Sequence, residues 1–420
     1  VEVIPRPYQL AGRDFLAGHR HALLADEMRV GKTPQAILAA DAVLAKCILV
    51  VCPAIAVTHW RREWAKWSPG RDPAAVVTGA CAGVKHGVVV SSYDMASRQK
   101  EKLAEQRWDL FIVDECHYAK SINAARAHMV YGRTGLGWHA DRIWSLSGTP
   151  APKHAGELYP MMKAFGVVKM GYPDFTQRYC WFKDRDTIGG TREDRIPELR
   201  ALLDKFMLRR TRRQVAPEMP EIDYQVLETK PVGHAWTDSA PDVIGLSDAE
   251  TLACLEANAE SLAGWRTECA MAKVPALVDE IDFSLKNRLI ERTVVFGHHI
   301  LPLDDLVSRL SIRGYNVGLI TGRTPQLVRH DILDAFREHE LDVVVANIQA
   351  AGTAIDLSAA SHGYFLEMSW VPAENAQAAA RMISMSKLEP VTCDICTWTG
   401  SADGIVQRVR TAELKTLGVM

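Results

Sequence analysis

Two short groups of residues carry the types that nucleotide chemistry needs. The first is Gly31-Lys32-Thr33, closing the stretch Leu23-Leu24-Ala25-Asp26-Glu27-Met28-Arg29-Val30. A glycine lets the backbone approach a phosphate closely. The lysine would reach the β- and γ-phosphates, and the threonine hydroxyl would bind Mg²⁺ at the start of a helix. The tripeptide alone is a weak signal, and a strict phosphate loop carries glycine where Asp26 stands. The second group is Asp114-Glu115-Cys116-His117, directly after the apolar run Leu110-Phe111-Ile112-Val113. Two adjacent carboxylates delivered by a buried strand suit Mg-nucleotide hydrolysis. Asp114 would hold the metal, directly or through water, and Glu115 would orient and deprotonate the attacking water. Gln9 offers a donor and an acceptor on one amide, which reads an adenine edge or simply faces solvent.

The elements around these groups must bring them to one place. Lys46 to Cys52, halted by Pro53, is a continuous apolar run and reads as a buried parallel strand. Val88 to Tyr93, Leu110 to Val113 and Arg142 to Leu146 read the same way, the last ending in Ser147-Gly148-Thr149-Pro150. Open α/β sheets place ligands beyond the carboxyl ends of their strands, where each polar group here falls. Val57 to Trp67 reads as a helix with Trp60, Trp64 and Trp67 on one face, either core or a base-stacking platform. A second α/β pattern starts with the strand Thr293 to Phe296. It continues through strands at Tyr315–Ile320, Leu341–Ala346 and His362–Met368. Residues 216–246, with several prolines and few apolar runs, read as a linker, and 247–289 as mostly helical.

The chain has 420 residues, 48% of them hydrophobic and 24% charged, enough for two or three packed domains. A formal net charge of −2 leaves no global basic footprint, so contact with nucleic acid must come from local patches. The nine cysteines form no disulfide framework, which suits a reducing compartment. Cys393-x-x-Cys396 reads as structural, with zinc or redox roles as alternatives, and the adjacent His298 and His299 point to opposite faces of a strand. The longest apolar run, Cys47 to Val57, is interrupted by Pro53 and too short to span a membrane. No secretory signal is read, and the expected location is the cytoplasm or a nucleoid or nuclear DNA-associated site.

The order Gln9, Asp26 to Thr33, Cys52-Pro53, Ser92-Tyr93, Asp114 to His117 and Ser147 to Pro150 resembles the first motor lobe of superfamily-two helicase-like ATPases. More narrowly it resembles SWI/SNF-type DNA translocases, whose loop commonly reads D-E-M-G-L-G-K-T. In that light Asp26 is a family feature, and Arg29 stands where glycine is usual. Asp174 to Cys180 and Phe206-Met207-Leu208-Arg209-Arg210-Thr211 are also similar to this family. Phe296-Gly297-His298-His299 is nearest its annealing-helicase (HARP-like) branch. The resemblance implies two RecA-like α/β lobes with ATP and Mg²⁺ in the cleft between them. It divides the chain into 1–215, with a helical insert at about 151–215, a linker and connecting helix at 216–270, and a second lobe at 271–420. It implies nucleotide contacts from Gln9, Gly31, Lys32, Thr33, Gly352 and Arg381, and Mg²⁺ at Thr33 and Asp114. Catalysis would fall to Lys32, Asp114, Glu115 and Arg381. DNA contacts would come from His59, Ser92, Tyr93, His298, Thr321, Gly322 and Ala350, with Ser147 and Thr149 coupling the two. The arginines at 209, 210, 212 and 213 would pack between the lobes near the DNA path.

One departure bears on rate. Where the family pattern reads Q-A-x-x-R-x-H-R-I-G-Q, this chain has Gln377-Ala378-Ala379-Ala380-Arg381-Met382-Ile383-Ser384-Met385-Ser386-Lys387. Ser384 takes the place of the second arginine, and Lys387 is the nearest cation further along the same expected helix. An arginine finger contributes roughly 10³–10⁵ in rate. The implied activity is an ATP-dependent translocase on duplex or forked DNA, without membrane contact. The rivals are a nucleotide-gated DNA clamp that hardly hydrolyses, and a motor subunit completed by a protein partner. A plain RNA helicase fits less well, because the Phe206 to Thr211 string belongs to the DNA-translocating group. Ser384→Arg is expected to raise DNA-stimulated kcat with ATP affinity retained; an unchanged kcat would count against the departure limiting the rate.

Overall fold

The structure, a computed structural model, describes residues 4–77, 87–185, 187–229, 250, 254, 263–351, 355–384, 387–398, 403, 404 and 407. The chain divides into two compact units, Val1–Ala216 and Pro217–Met420. The expected two-lobe α/β class is observed: each unit is built on a parallel sheet. Among the described residues no helix is long and apolar enough to cross a membrane.

The first unit opens with helix α1 (Pro7–Gly18), strand β1 (His21–Leu24) and, after the loop, helix α2 (Lys32–Ala42). Then come β2 (Cys47–Cys52), helix α3 (Val57–Trp67), β3 (Ala75–Val76), β4 (Gly87–Ser92), β5 (Trp108–Asp114) and β6 (Ala140–Leu146). The sheet order is β3-β4-β2-β5-β6-β1-β9. Its central strands are apolar on both faces because helices cover both. Ile48, Leu49, Val50, Phe111, Ile112 and Val113 are all fully buried. Parallel pairing aligns the strand ends, so the turns after β1, β2, β4, β5 and β6 share one edge.

The region 151–215 is only partly the helical insert expected. It holds helices Tyr159–Ala164, Tyr172–Tyr179 and Ile196–Leu203, and the antiparallel hairpin β7 (Cys180–Phe182) and β8 (Ile188–Thr191). It then re-enters the main sheet as β9 (Met207–Leu208), parallel to β1 with Leu23 opposite Met207. The amides of Leu23, Ala25 and Glu27 donate to the carbonyls of Phe206, Leu208 and Arg210 at 2.8, 2.7 and 2.9 Å.

The second unit has the sheet order β10-β15-β14-β11-β13-β12. Its strands are β10 (Ile222–Thr229), β11 (Thr293–Gly297), β12 (Val317–Ile320), β13 (Val343–Asn347), β14 (His362–Phe365) and β15 (Val391–Trp398). β10 corrects the linker reading of 216–246, since it pairs with β15 from Ile222–Val391 to Thr229–Trp398. Its exposure explains the misreading: an edge strand mostly open to solvent, with Asp223, Gln225 and Glu228 among its residues, carries no continuous apolar run. Of the helical reading of 247–289, Ala263–Lys286 is observed as a helix, while 247–249, 251–253 and 255–262 lie outside the described residues. The Cys393 and Cys396 thiols are free and buried within β15.

Lys273, on that helix, is fully buried, its ammonium donating to Asp403 Oδ2 at 2.8 Å and to the Cys396 carbonyl at 3.1 Å. Removing one member of a buried ion pair leaves the other charge uncompensated. Lys273→Ala should therefore cost the second unit about 3–5 kcal/mol in urea unfolding, and a loss below about 1 kcal/mol would contradict the pairing.

A candidate nucleotide site on the carboxyl edge of the first sheet

The loop after β1 is held in an unusual backbone path. Arg29 has φ 70° and Gly31 φ 77°. Left-handed backbone costs a side-chain-bearing residue on the order of 1 kcal/mol, which is why glycine is usual at the Arg29 position. Gly31 is required on two counts. Its φ is left-handed, and a Cβ there would come within 2.7 Å of Gln9 Nε2. Gly31 caps α2, whose first residues are Lys32 and Thr33, so the helix N-terminus opens onto the loop with its positive dipole end. Gln9 is buried beside it, its Oε1 accepting the Arg6 amide at 2.9 Å. Lys32 Nζ donates to the carbonyls of Asp26 and Glu27 at 2.8 and 3.2 Å.

Asp114 ends β5 two strands away. Trp60 Nε1 donates to Asp114 Oδ2 at 2.8 Å, and the Glu115 amide donates to Oδ1 at 3.1 Å. Desolvation, and secondly the neighbouring Glu115, push the Asp114 carboxyl up to about 6, while Trp60 and Lys32 pull it back toward the ionised form. Glu115 is in left-handed backbone, φ 48°. Its Oε2 accepts from Ser147 Oγ at 3.4 Å and lies 3.3 Å from His117 Nδ1. Ser147 Oγ also lies 3.0 Å from His117 Nδ1 and accepts the Thr149 amide at 3.1 Å. Asp114, Glu115, His117, Ser147 and Thr149 thus form one bonded group across the ends of β5 and β6. Asp114, ionisable, strand-terminal and electrostatically linked to Lys32, offers a hard carboxylate oxygen of the kind Mg²⁺ would take. Thr33 is half-buried in the first turn of α2, the place for a hydroxyl ligand.

Several expected DNA contacts sit elsewhere than on an open surface. Tyr93 is 2% exposed, and its hydroxyl donates to the carbonyls of Asp114 and Glu115 at 2.8 and 3.3 Å. It braces the carboxylate turn from within, which corrects the reading of its side chain as a DNA contact. Ser92 caps the short helix Tyr93–Arg98 by accepting the Met95 amide. His59 is exposed on α3, where Trp60 and Trp64 are buried core residues. In the second unit Thr321 and Ala350 are buried, at 6% and 7% exposure, and Gly322 is exposed. His298 is half-buried beyond β11 with its carbonyl accepting Asn347 Nδ2 at 2.6 Å. Gly352 lies outside the described residues.

Sequence reading missed Glu367, which organises that edge of the second sheet. It accepts the amides of His298 and His299 at 3.0 and 2.6 Å and pairs with His299 Nδ1 at 2.8 Å. Burial alone would raise its pKa, but His299 and Arg266 outweigh this and hold it below the usual glutamate value.

The final motif also differs from expectation. The helix stops at Ala379, and Arg381 sits in a tight turn, Ala380–Met382, so Arg381, Ser384 and Lys387 do not share one helix. Lys387 Nζ donates to the carbonyls of Ser358 and Ala360 at 2.9 and 2.6 Å within its own unit. That engagement corrects the idea of Lys387 as a substitute cation at the phosphates. Three of the clustered arginines have partners inside the first unit. Arg210 and Arg212 bind Asp26 and Glu27 of the phosphate loop, and Arg209 Nη1 donates to the Gly148 carbonyl at 3.3 Å.

Two parallel-sheet lobes, with a lysine-bearing helix terminus and an Asp-Glu pair on one sheet edge, define a helicase-type phosphate-loop protein. The family models place it more narrowly. Residues 8–236 match the SNF2-related domain and residues 272–386 the helicase conserved C-terminal domain, and the chain belongs to the SNF2-related family. It is 27% identical over 419 residues to the Drosophila melanogaster "SWI/SNF-related matrix-associated actin-dependent regulator of chromatin subfamily A-like protein 1", covering 95% of this chain and 54% of that protein. It is 26% identical over 427 residues to the Mus musculus "DNA annealing helicase and endonuclease ZRANB3", covering 95% of this chain and 39% of that protein. The chain thus spans about half, or less, of the length of these curated relatives. Among solved structures, the Sulfolobus solfataricus SWI2/SNF2 ATPase core in complex with dsDNA aligns with TM-score 0.47 and 16% identity, covering 100% of this chain and 96% of that one.

The Trp60 indole stabilises only the ionised form of Asp114, and a hydrogen bond to a charged group contributes about 1.5–3 kcal/mol. Trp60→Phe keeps the ring and removes the N–H. It should weaken Mg²⁺-dependent nucleotide binding about tenfold or more at neutral pH, with Mg²⁺-free binding unchanged. Binding by the unaltered protein should decline as pH falls through about 6, where the raised Asp114 carboxyl takes up a proton, and binding by Trp60→Phe should decline at a higher pH, because the indole no longer holds that carboxyl down. Titrations with a fluorescent nucleotide at several Mg²⁺ concentrations measure both effects, and equal Mg²⁺ dependence in the two proteins would refute the assignment.

Proposed function

We propose that the chain is an ATP-dependent DNA translocase, a helicase-like motor that hydrolyses ATP with Mg²⁺ and moves along double-stranded or forked DNA. The observation that carries this reading is the bonded group Asp114, Glu115, His117 and Ser147 on the same sheet edge as Lys32. In the proposed reaction Lys32 and the amides at the start of α2 hold the β- and γ-phosphates. Glu115 takes a proton from water as its oxygen bonds to the γ-phosphorus, and the bond from that phosphorus to the bridging oxygen breaks, releasing ADP. Thr33 and Asp114 would hold Mg²⁺, which would supply charge neutralisation at the phosphates. Ser147 and Thr149 would feel the state of Glu115 directly and relay it, and Gln9 would read the adenine. Arg381 would reach the nucleotide from the second lobe.

DNA is the proposed partner because the chain's relatives include a DNA annealing helicase by name and a chromatin regulator. Backbone tracking would make binding independent of sequence and sensitive to salt. A DNA-associated location in the cell is proposed on the support of the same relatives' names, and a protein partner supplying targeting is proposed beside it. The clamp reading keeps one specific support: Ser384 stands where the second arginine would be, and Lys387 is engaged with its own unit's carbonyls.

ATP turnover measured against duplex, forked and single-stranded DNA and RNA separates these readings. A motor is expected to be stimulated most by duplex or forked DNA, a clamp to bind ATP and DNA with little turnover. Glu115→Gln should lower kcat by about 10²–10⁴-fold and Lys32→Ala should abolish nucleotide binding. Unchanged rates in both variants would overturn the site.

A further inference from the structure

Asp26 is fully buried, and a carboxylate in that position needs a partner. The partner comes from the end of the unit. Arg210 Nε and Nη2 donate to the two Asp26 carboxylate oxygens at 3.0 and 2.5 Å, a fork-to-fork pair. The same guanidinium donates to the Tyr8 carbonyl and to Gln35 Oε1, both at 2.8 Å. Gln35 Nε2 in turn donates to Asp26 Oδ2 at 3.2 Å and to the Gly31 carbonyl at 3.1 Å. Glu27 is held likewise, one oxygen accepting Arg212 Nε at 2.6 Å and the other the Arg212 amide at 2.7 Å. Arg209 reaches the Gly148 carbonyl in the Ser147–Pro150 turn.

Asp26 and Glu27 are therefore gripped from two sides. Their carbonyls accept from Lys32, the residue that must meet the phosphates, and their carboxylates from Arg210 and Arg212. If Lys32 turns toward a nucleotide, it leaves those carbonyls, and the loop is still held by Gln35, by the two arginines and by the Ala25 and Glu27 amides on the Leu208 and Arg210 carbonyls. The string Phe206–Arg212 that carries them is also bonded through its backbone to β1 and its extension. It lies directly before the boundary at Ala216 where the first unit ends.

We propose that Arg210 is a positioning residue for the phosphate loop, and that Phe206–Arg212 transmits the loop's nucleotide state to the point where the chain leaves the first unit. The proposal rests on the nucleotide site described above. It assigns these arginines to the sensing of nucleotide from behind the loop, where bidentate geometry makes arginine irreplaceable by lysine.

Hydrogen–deuterium exchange on the whole chain, with and without Mg²⁺ and a slowly hydrolysed ATP analogue, tests it. The expected result for the unaltered protein is slowed exchange in both 22–33 and 206–216. In Asp26→Asn/Arg210→Met, which removes both charges and so avoids a lone buried ion, the response at 22–33 should persist and that at 206–216 should disappear. Arg210→Lys, which keeps the charge and loses the fork, should bind a fluorescent ADP at least about tenfold more weakly. A response confined to 22–33 in the unaltered protein, or a double variant that still responds in both segments, would overturn the proposal while leaving the nucleotide site intact. Unchanged ADP affinity in Arg210→Lys would overturn the positioning role. No response at 22–33 in the unaltered protein would overturn the nucleotide reading and the proposal together.

Discussion

The first unit depends on how the negative charge of Asp26 is housed. A phosphate loop needs a backbone that opens toward its ligand, and generic loops achieve this with glycine. This chain places a carboxylate in the interior at that point and neutralises it with Arg210, 184 residues further along. An isolated ion there would cost several kcal/mol, and the pair is tolerable because the fork satisfies both oxygens while Gln35 and the Tyr8 carbonyl satisfy the rest. The loop can therefore take its working shape only after β9 has returned to the sheet. Site formation and completion of the first unit become one event, and the small strand β9 matters to chemistry it never touches.

The same logic of remote support recurs around the carboxylates. Asp114 and Glu115 are presented by β5, but their orientation comes from groups on other elements: the Trp60 indole from α3, the Tyr93 hydroxyl from beyond β4, and Ser147 from beyond β6. Trp60 and Tyr93 are large buried side chains with one polar atom each, and each polar atom meets the turn that carries the carboxylates. A shift in α3 or in the turn after β4 thus acts on the reacting groups without a new contact to the nucleotide. His59, exposed and adjacent to Trp60, places a surface residue one peptide away from this support.

What the sequence made legible follows from this division. Buried parallel strands are continuous apolar runs, and their ends are where polar residues reappear, so the phosphate loop, Asp114-Glu115 and Ser147-Thr149 could be read in order. Apolar periodicity put the tryptophans of α3 on one face without deciding between core and stacking platform, and it does not report the direction of an N–H. Tyr93 had the same ambiguity at a strand end and was read outward. The arginines of 209–213 were legible as a cluster, but a charge run gives no sign of which carboxylates it will meet. β10 escaped because an edge strand mostly open to solvent lacks the apolar run that marked its neighbours. Glu367 gave no signal, since a single glutamate after a strand looks the same whether it is solvated or, as here, the acceptor for two backbone amides and a histidine.

The departure at Ser384 gains weight from where Lys387 goes. A lysine close to a missing arginine invites the idea of replacement, and charge alone would permit it. Its ammonium instead satisfies the carbonyls of Ser358 and Ala360, and burial lowers its pKa, which makes its displacement into a phosphate site costly on two counts. Under the proposed activity, charge stabilisation for a phosphoryl transfer on the first unit would fall to Lys32, the N-terminus of α2 and a metal held by Thr33 and Asp114. Lacking a second arginine to meet the charge that develops at the γ-phosphate, hydrolysis should be slow relative to binding, and a slow step after tight binding favours long nucleotide-bound intervals. A relay from loop to unit boundary through Arg210 has its greatest value under that regime, because it responds to occupancy and does not wait for turnover.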